Sequence, residues 1–382
     1  MRLKRIFIAG FIFFQFGLLL PIHQLYAQTC NEDMILNKKG SWKKTGDANM
    51  KAGNQSQAII RMDKMQKILQ AAYPDPRGIE AIWYRSMINN PLINNGPIPY
   101  QLSALFKIYY CLSEKEMVLG DETATWFYVY ANHFNWFMEY DYNFTVKKNP
   151  VYLLTKKVGE LNGYPVYEGI HNSTSNTGTK YSRAIIITRP GQSPYVPVTR
   201  KQYLMLYVKR YEQERATQLP VFEKIPVKSD AEEEANKQKG LEKIEKTTSP
   251  DKLERAKSNY LRFYVTDKQR KEENLKNLNK MYETSMKAAQ DLLNSMSEEE
   301  AAKPAIVSGD YVSKFENFST EEKGGRMLVR LNPDYFNNKL PRYVPQFLIV
   351  YWRWEKNKVS EKFKEELEAN FNFNALKDMI DK

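Results

Sequence analysis

Few residues in this chain combine the side-chain types and spacing that catalysis needs. Three histidines occur in 382 residues, and His23 lies in an apolar leader, which leaves His133 and His171. There is no HExxH helix and no His/Cys cluster with zinc spacing, so no metal site is expected. The stretch GQSPY around Ser193 lacks the second glycine of a nucleophile elbow. Neither a phosphate-binding loop nor a dinucleotide glycine fingerprint occurs, and no cofactor is expected. No catalytic residue is assigned. His133 and His171 read as loop or surface residues.

Carboxylates are plentiful, and two of them about 5–9.5 Å apart suffice for glycoside hydrolysis. The most suggestive pair is Glu139 and Asp141, two apart on one strand face. Both belong to TWFYVYANHFNWFMEYDYNF, Thr125 to Phe144, in which half of the twenty residues are aromatic. Its even positions, from Trp126, Tyr128 and Tyr130 to Phe144, carry eight aromatics in ten, while the odd positions are mixed. Period two is a strand pattern. A single strand of that length would exceed about 60 Å, so the chain must turn.

The expected turn is a three-residue loop, Ala131-Asn132-His133. It would oppose Tyr130 to Phe134, Tyr128 to Trp136 and Trp126 to Met138, keeping the aromatics on one face. A face of that size must be covered. The expected cover is a helix over 199–214 together with a helical hairpin further along. Glu139 and Asp141 would then point away from the aromatics, so one cleft would not combine them.

A third feature is a helix start. Thr199 and Gln202 form a capping-box pattern, and Arg200 and Lys201 fall in the first turn. Cations there are disfavoured by about 0.3–1 kcal/mol each. Free backbone N–H groups and two cations would make an anion-binding site. The alternative is that both side chains bend outward to acidic neighbours.

The elements that must position these residues begin with the leader. Arg2, Lys4 and Arg5 precede an apolar run from Ile6 to Leu20, Pro21 breaks it, and Leu25-Tyr26-Ala27 offers a cleavage site. This is the layout of a secretory signal peptide over 1–27; a membrane span needs about 20 apolar residues. A lipoprotein anchored through Cys30 is the weaker reading, because Ala27-Gln28-Thr29 departs from the expected lipobox. No second apolar run reaches spanning length, so no transmembrane segment is expected after cleavage.

The formal charge is +12, and removing residues 1–27 takes away three basic residues and no acid, leaving +9. Lysines are spread along the chain among glutamates, which reads as a solvated basic surface rather than a nucleic-acid footprint. Two cysteines remain, Cys30 and Cys111. In an oxidising compartment they either pair or leave Cys111 as a buried thiol beside Tyr109-Tyr110.

Residues 28–54 are polar and read as an extended lead-in. A helix fits Gln55 to Ala72, stopped by Pro74 and Pro76, and Ile79 to Met87 reads as a second short helix. From about 102 to 199 the signals are mostly strand, including two strands around Asn162-Gly163 and the buried-strand pattern KYSRAIIITRPG. Ser249-Pro250 opens a helix, and a long one carries Leu275, Leu278, Tyr282, Met286, Ala289, Leu293 and Met296. RMLVRLN and PQFLIVYWRW are strand-like. The expected domains are a helix plus antiparallel sheet over 55–220, a helical hairpin over 221–304, and a mixed segment over 305–382 that rejoins the sheet. The fold class is α+β, an antiparallel sheet with helices packed on one side plus a long helical hairpin.

The stretches RPGQSPYVPVTRKQYL and LNPDYFNNKLPRYVPQFLIVYW resemble segments of uncharacterised exported proteins of Bacteroidota-type bacteria, over about a quarter of the chain. The resemblance implies export and a shared fold and transfers no functional residue. The function expected is a non-catalytic binding or interaction protein of the periplasm or envelope, or one released outside the cell. Its partner would be an envelope protein or polymer, and no nucleic acid. Two alternatives stand: a carboxylate-dependent hydrolase of polysaccharide, and an envelope assembly component using the 251–296 helices.

Overall fold

A computed structural model describes residues 30–50, 55–135, 137–146, 149–175, 178–308, 315 and 317–382. The leader, 1–27, and Trp136 lie outside the described residues.

Two sheets stack face to face. The larger runs β1 (Trp42–Lys44), β2 (Ile79–Met87), β3 (Tyr100–Cys111), β5 (Trp126–Ala131), β15 (Leu348–Glu355), β11 (Gly178–Ile187), β9 (Tyr164–Glu168), β8 (Lys157–Leu161). Two short strands, β4 (Met117–Leu119) and β10 (Ser173–Ser175), pair with β3 and β11. The smaller sheet runs β12 (Tyr195–Pro197), β14 (Arg326–Leu331), β7 (Asn149–Leu154), β6 (Met138–Val146), with β13 (Ile306–Val307) on β14. Pairing is antiparallel except between β1 and β2. The α+β class holds.

Helices α2 (Ser56–Ala72), α8 (Lys358–Asn370) and α9 (Phe373–Lys377) cover the outer face of the larger sheet. Met62, Met65 and Leu69 of α2 meet Phe106, Phe127, Phe363 and Leu376 in one core. The opposite face carries Tyr128, Tyr130, Ile186, Ile349 and Tyr351, which pack on Tyr152, Leu154 and Val329 of the smaller sheet. A third core lies on the far side of the smaller sheet, where Leu153 and Leu328 meet Tyr203, Leu204 and Tyr207 of α3 (Arg200–Glu223). The layers are therefore helix, sheet, sheet, helix.

The expected aromatic hairpin does not form. β5 sits between β3 and β15, with Tyr130 opposite Gln101 on one side and Ile349 on the other, while β6 joins β7 in the other sheet. The chain leaves the larger sheet at Asn132, whose φ is +59°. As a central strand β5 satisfies both of its edges with distant partners, and a local hairpin would have displaced one of them. Alternation survives on β5 itself: Phe127 and Val129 face the helices, Tyr128 and Tyr130 the second sheet. Tyr128 and Tyr130 are buried as expected, but beneath a sheet rather than beneath the 199–214 helix and the hairpin, while Tyr140 further along is 37% exposed.

Ile79–Met87 is also corrected, from helix to strand. Ile79 and Ala81 pack into the helix-covered core with Trp83 beside them, a period of two that the short run left ambiguous. The lead-in contains α1 (Glu32–Asn37) as well as β1. The long helix α6 (Asp267–Ser295), about 43 Å at 1.5 Å per residue, pairs with α3. Tyr211 meets Tyr282, and Arg215 reaches Asn279 and Glu283. Helices α4 (Asp230–Thr247) and α5 (Pro250–Phe263) form a separate pair at the outer end of this arm. A short α7 (Glu298–Ala302) brings the chain back. The C-terminal strands divide, β14 to the smaller sheet and β15 to the centre of the larger.

Candidate functional site

Segments 90–94 and 133–135 enclose a cleft of about 730 Å³ against β6, β7 and β14 of the smaller sheet. Asn132 builds one wall. It is 1% exposed, its Oδ1 accepts from the Gln346 N–H at 2.7 Å, and its Nδ2 donates to Val344 O at 3.1 Å. The positive φ that asparagine tolerates turns the chain there and delivers His133, Phe134 and Asn135 to the cleft. Phe134 is anchored against Phe347, centroids 4.9 Å apart. The second wall comes from β6 and β7, where the register places Tyr140 directly opposite Tyr152. Their rings meet edge to face at 5.6 Å, and Phe134 meets Tyr152 in the same way at 5.5 Å.

The lip is the segment 88–98. Its turn-forming composition was legible as a boundary, and the fold pins it at both ends: Ile88 N–H donates to Pro99 O and Ile98 N–H to Arg342 O. Arg342 Nε also reaches Gly96 O at 3.0 Å. Leu92 and Ile93 pack inward against the inter-sheet core, while Asn90 and Asn94 line the cleft. β14 contributes backbone at Arg330 and the Leu331 side chain to the rim, the Arg330 side chain alternating to the α3 face with Leu328 and Val151.

The electrostatics are one-sided. No Asp or Glu lines the cleft among the described residues. Burial pushes His133 down to about 4, so the ring is neutral at pH 7. Its Nδ1 accepts the Asn135 N–H at 3.1 Å, which places the remaining proton on Nε2 as a donor. Burial raises the Tyr152 phenol, which stays protonated. The cleft thus offers an imidazole N–H and amides against aromatic and aliphatic walls.

The acid pair expected from sequence is elsewhere. Glu139 turns outward to Arg326, 3.0 Å away, and Asp141 is 4% exposed; neither lines the cleft. Ser193 accepts the Tyr195 N–H within its own turn. His171 lies edge-on to Tyr351, and burial with Arg353 nearby lowers its pKa. Among the described residues no cluster of three or more His, Cys, Asp or Glu could hold a metal ion.

At the start of α3 the capping box forms, Thr199 and Gln202 satisfying each other. The Arg200 N–H donates to Lys303 O, and its side chain pairs with Glu300 and lies over Phe318. Lys201 is exposed. The chain's own groups thus take up the Arg200 N–H and the Arg200 charge. Cys30 and Cys111 are joined, Cα atoms 5.8 Å apart, tying the residue before α1 to the end of β3.

Sequence reasoning missed Tyr152. Tyr140 and His133 lay inside the aromatic stretch but were assigned to one hairpin. Only the alternation over Met138 to Phe144 hinted that Tyr140 would present a face.

Compared with known proteins, the chain matches no family model, no curated protein and no solved structure.

Proposed function

We propose that the protein is an exported, non-catalytic binding protein of the periplasm or envelope, and that the cleft is where it holds its ligand. The leader layout supports export. One observation carries the rest: a cleft of ligand-binding size, about 730 Å³, is lined by hydrogen-bond donors and aromatics with no carboxylate among its described lining residues. Hydrolysis through paired acids needs two carboxyls converging on one space, and here the nearest candidates face elsewhere. The test is capture from envelope extract with immobilised mature protein and with Asn94→Trp, which fills the lip from an exposed turn. Material held by the wild type and released by the variant supports the reading. Equal capture by both, or shortening of a bound polymer over time, overturns it.

A second reading, an assembly component, has one observation in its favour. Phe263 is 72% exposed with Leu261 and Val265 exposed on either side of it in the chain, and Ile225 and Val227 are exposed in the link between α3 and α4. Six of the fourteen exposed large hydrophobics fall between Val221 and Val265, a concentration that marks interaction surfaces. A sizing column distinguishes the two: an oligomer dispersed by Phe263→Ser favours assembly, and a monomer disfavours it.

A further inference from the structure

The reading of the cleft as a binding site leaves its ligand open, and the inference that follows rests on that reading. We propose that the cleft takes an uncharged saccharide, with the Tyr152 hydroxyl and His133 Nε2–H donating to its oxygens and Tyr140 lying against a ring.

Three observations converge. First, two donors at the cleft are unspent. Tyr152 is 7% exposed and lines the cleft, yet its hydroxyl meets no hydrogen-bond partner among the described residues and is not sealed from solvent. Edge-to-face contacts with Phe134 and Tyr140 hold its ring, which fixes where that hydroxyl lies. His133 is in the same position: Asn135 N–H occupies Nδ1, and no described residue accepts from Nε2. Polar groups on side chains this buried ordinarily have partners, so the two point to acceptors brought by a ligand.

Second, the cleft is uncharged. Arg330 is the one charged residue at its rim among the described residues, and the register turns that side chain to the α3 face with Val151 and Leu328. Burial keeps the His133 ring neutral at pH 7. An anion or a cation entering here would shed water without gaining a counter-charge, which disfavours both. Hydroxyl groups give and accept, and so suit the two donors together with Asn90 and Asn94, exposed on the lip.

Third, the walls suit a ring. Tyr140 is 37% exposed at the lining and braced by the buried Tyr152, and Pro150 and Leu331 extend the apolar surface. A pyranose has an apolar face to set against that ring while its hydroxyls reach the donors. The volume, about 730 Å³, lies in the range of small-molecule sites.

The experiment uses the mature protein with four probes in isothermal titration: maltohexaose and mannohexaose, which are neutral, hexagalacturonate, charged on every ring, and sorbitol, which has hydroxyls but no ring. The expected result is saturable binding of at least one neutral hexaose, at least tenfold weaker binding of hexagalacturonate, and no binding of sorbitol at the same concentration. Tyr152→Phe removes only the hydroxyl. It should weaken the hexaose by about two- to tenfold and leave the melting temperature unchanged, because no protein partner is lost. A hydroxyl with a structural role would lower the melting temperature instead. Tyr140→Ala should weaken the hexaose by about tenfold, while Lys201→Gln, outside the cleft, should change nothing. No binding of either neutral hexaose, hexagalacturonate or sorbitol binding as tightly as the better hexaose, or a Tyr152→Phe variant with wild-type affinity overturns the proposal. If no saccharide binds while Asn94→Trp still releases envelope material, the ligand class falls and the binding function stands.

Discussion

Asn132 is the residue on which the cleft turns, and its replacement has a calculable consequence. The side chain is 1% exposed and makes three hydrogen bonds: Oδ1 from Gln346 N–H at 2.7 Å, Nδ2 to Val344 O at 3.1 Å and to Ile98 O at 3.3 Å. Asn132→Ala strands the buried Gln346 N–H, which costs about 1–3 kcal/mol, and loses two further bonds worth about 0.5–1.5 kcal/mol each. It also forces alanine to hold φ near +59°, at about 1 kcal/mol more. A loss of about 3–7 kcal/mol is expected in total. With a urea dependence of about 3 kcal/mol per molar for a chain of this size, the midpoint should fall by about 1–2.3 M. Asn132→Gly separates the terms, because glycine accepts the backbone angle but makes none of the bonds. It should recover about 1 kcal/mol and no more. A midpoint shift below about 0.3 M for alanine, or a glycine variant as stable as the wild type, would refute the assignment of the turn to these hydrogen bonds.

Other consequences are simpler to state. The Cys30–Cys111 bond closes a loop of 81 residues, so Cys111→Ser, or full reduction, should lower stability by about 4–5 kcal/mol on the chain-entropy model; a melting temperature unchanged by reductant would contradict this. His133 falls to about 4 in the folded protein against about 6.5 when unfolded. Between those values the unfolded chain binds the extra proton, so stability should decline as pH drops from 6.5 to 4, by up to about 1.4 kcal/mol per unit. In His133→Gln the slope over that window should flatten, and an identical slope would show that another group is responsible. Replacing Arg200 and Lys201 together with Gln should leave sulfate affinity unchanged, because Arg200 already faces Glu300; a clear drop would restore the helix start as a site.

How much of this was legible beforehand depended on whether the determining contacts were local. The α2 helix, the Asn162-Gly163 turn with both residues at positive φ, the β11 strand and the Thr199 capping box are set within a few residues of themselves, and each was readable. The aromatic stretch was readable only in part. Its alternation and its turn at Asn132 are local, but the choice between a hairpin and two sheets was made by β3, β15 and β7, between about 10 and more than 200 residues away. Likewise α6 could not announce that α3, rather than α5, would be its partner, since both offered an apolar stripe. The cleft lay furthest from view. β14 reaches its rim only because it pairs with β7 across more than 170 residues, and nothing in MLVRLN announces that partner.

Hydrogen–deuterium exchange of the mature protein, free and loaded with the envelope material it retains, tests the cleft most directly. Slowed exchange in segments 88–98 and 133–140, with no change around Arg200 or Phe263, is the predicted result. Protection confined to the arm at 261–265, or to the first turn of α3, would place the ligand elsewhere and contradict the account.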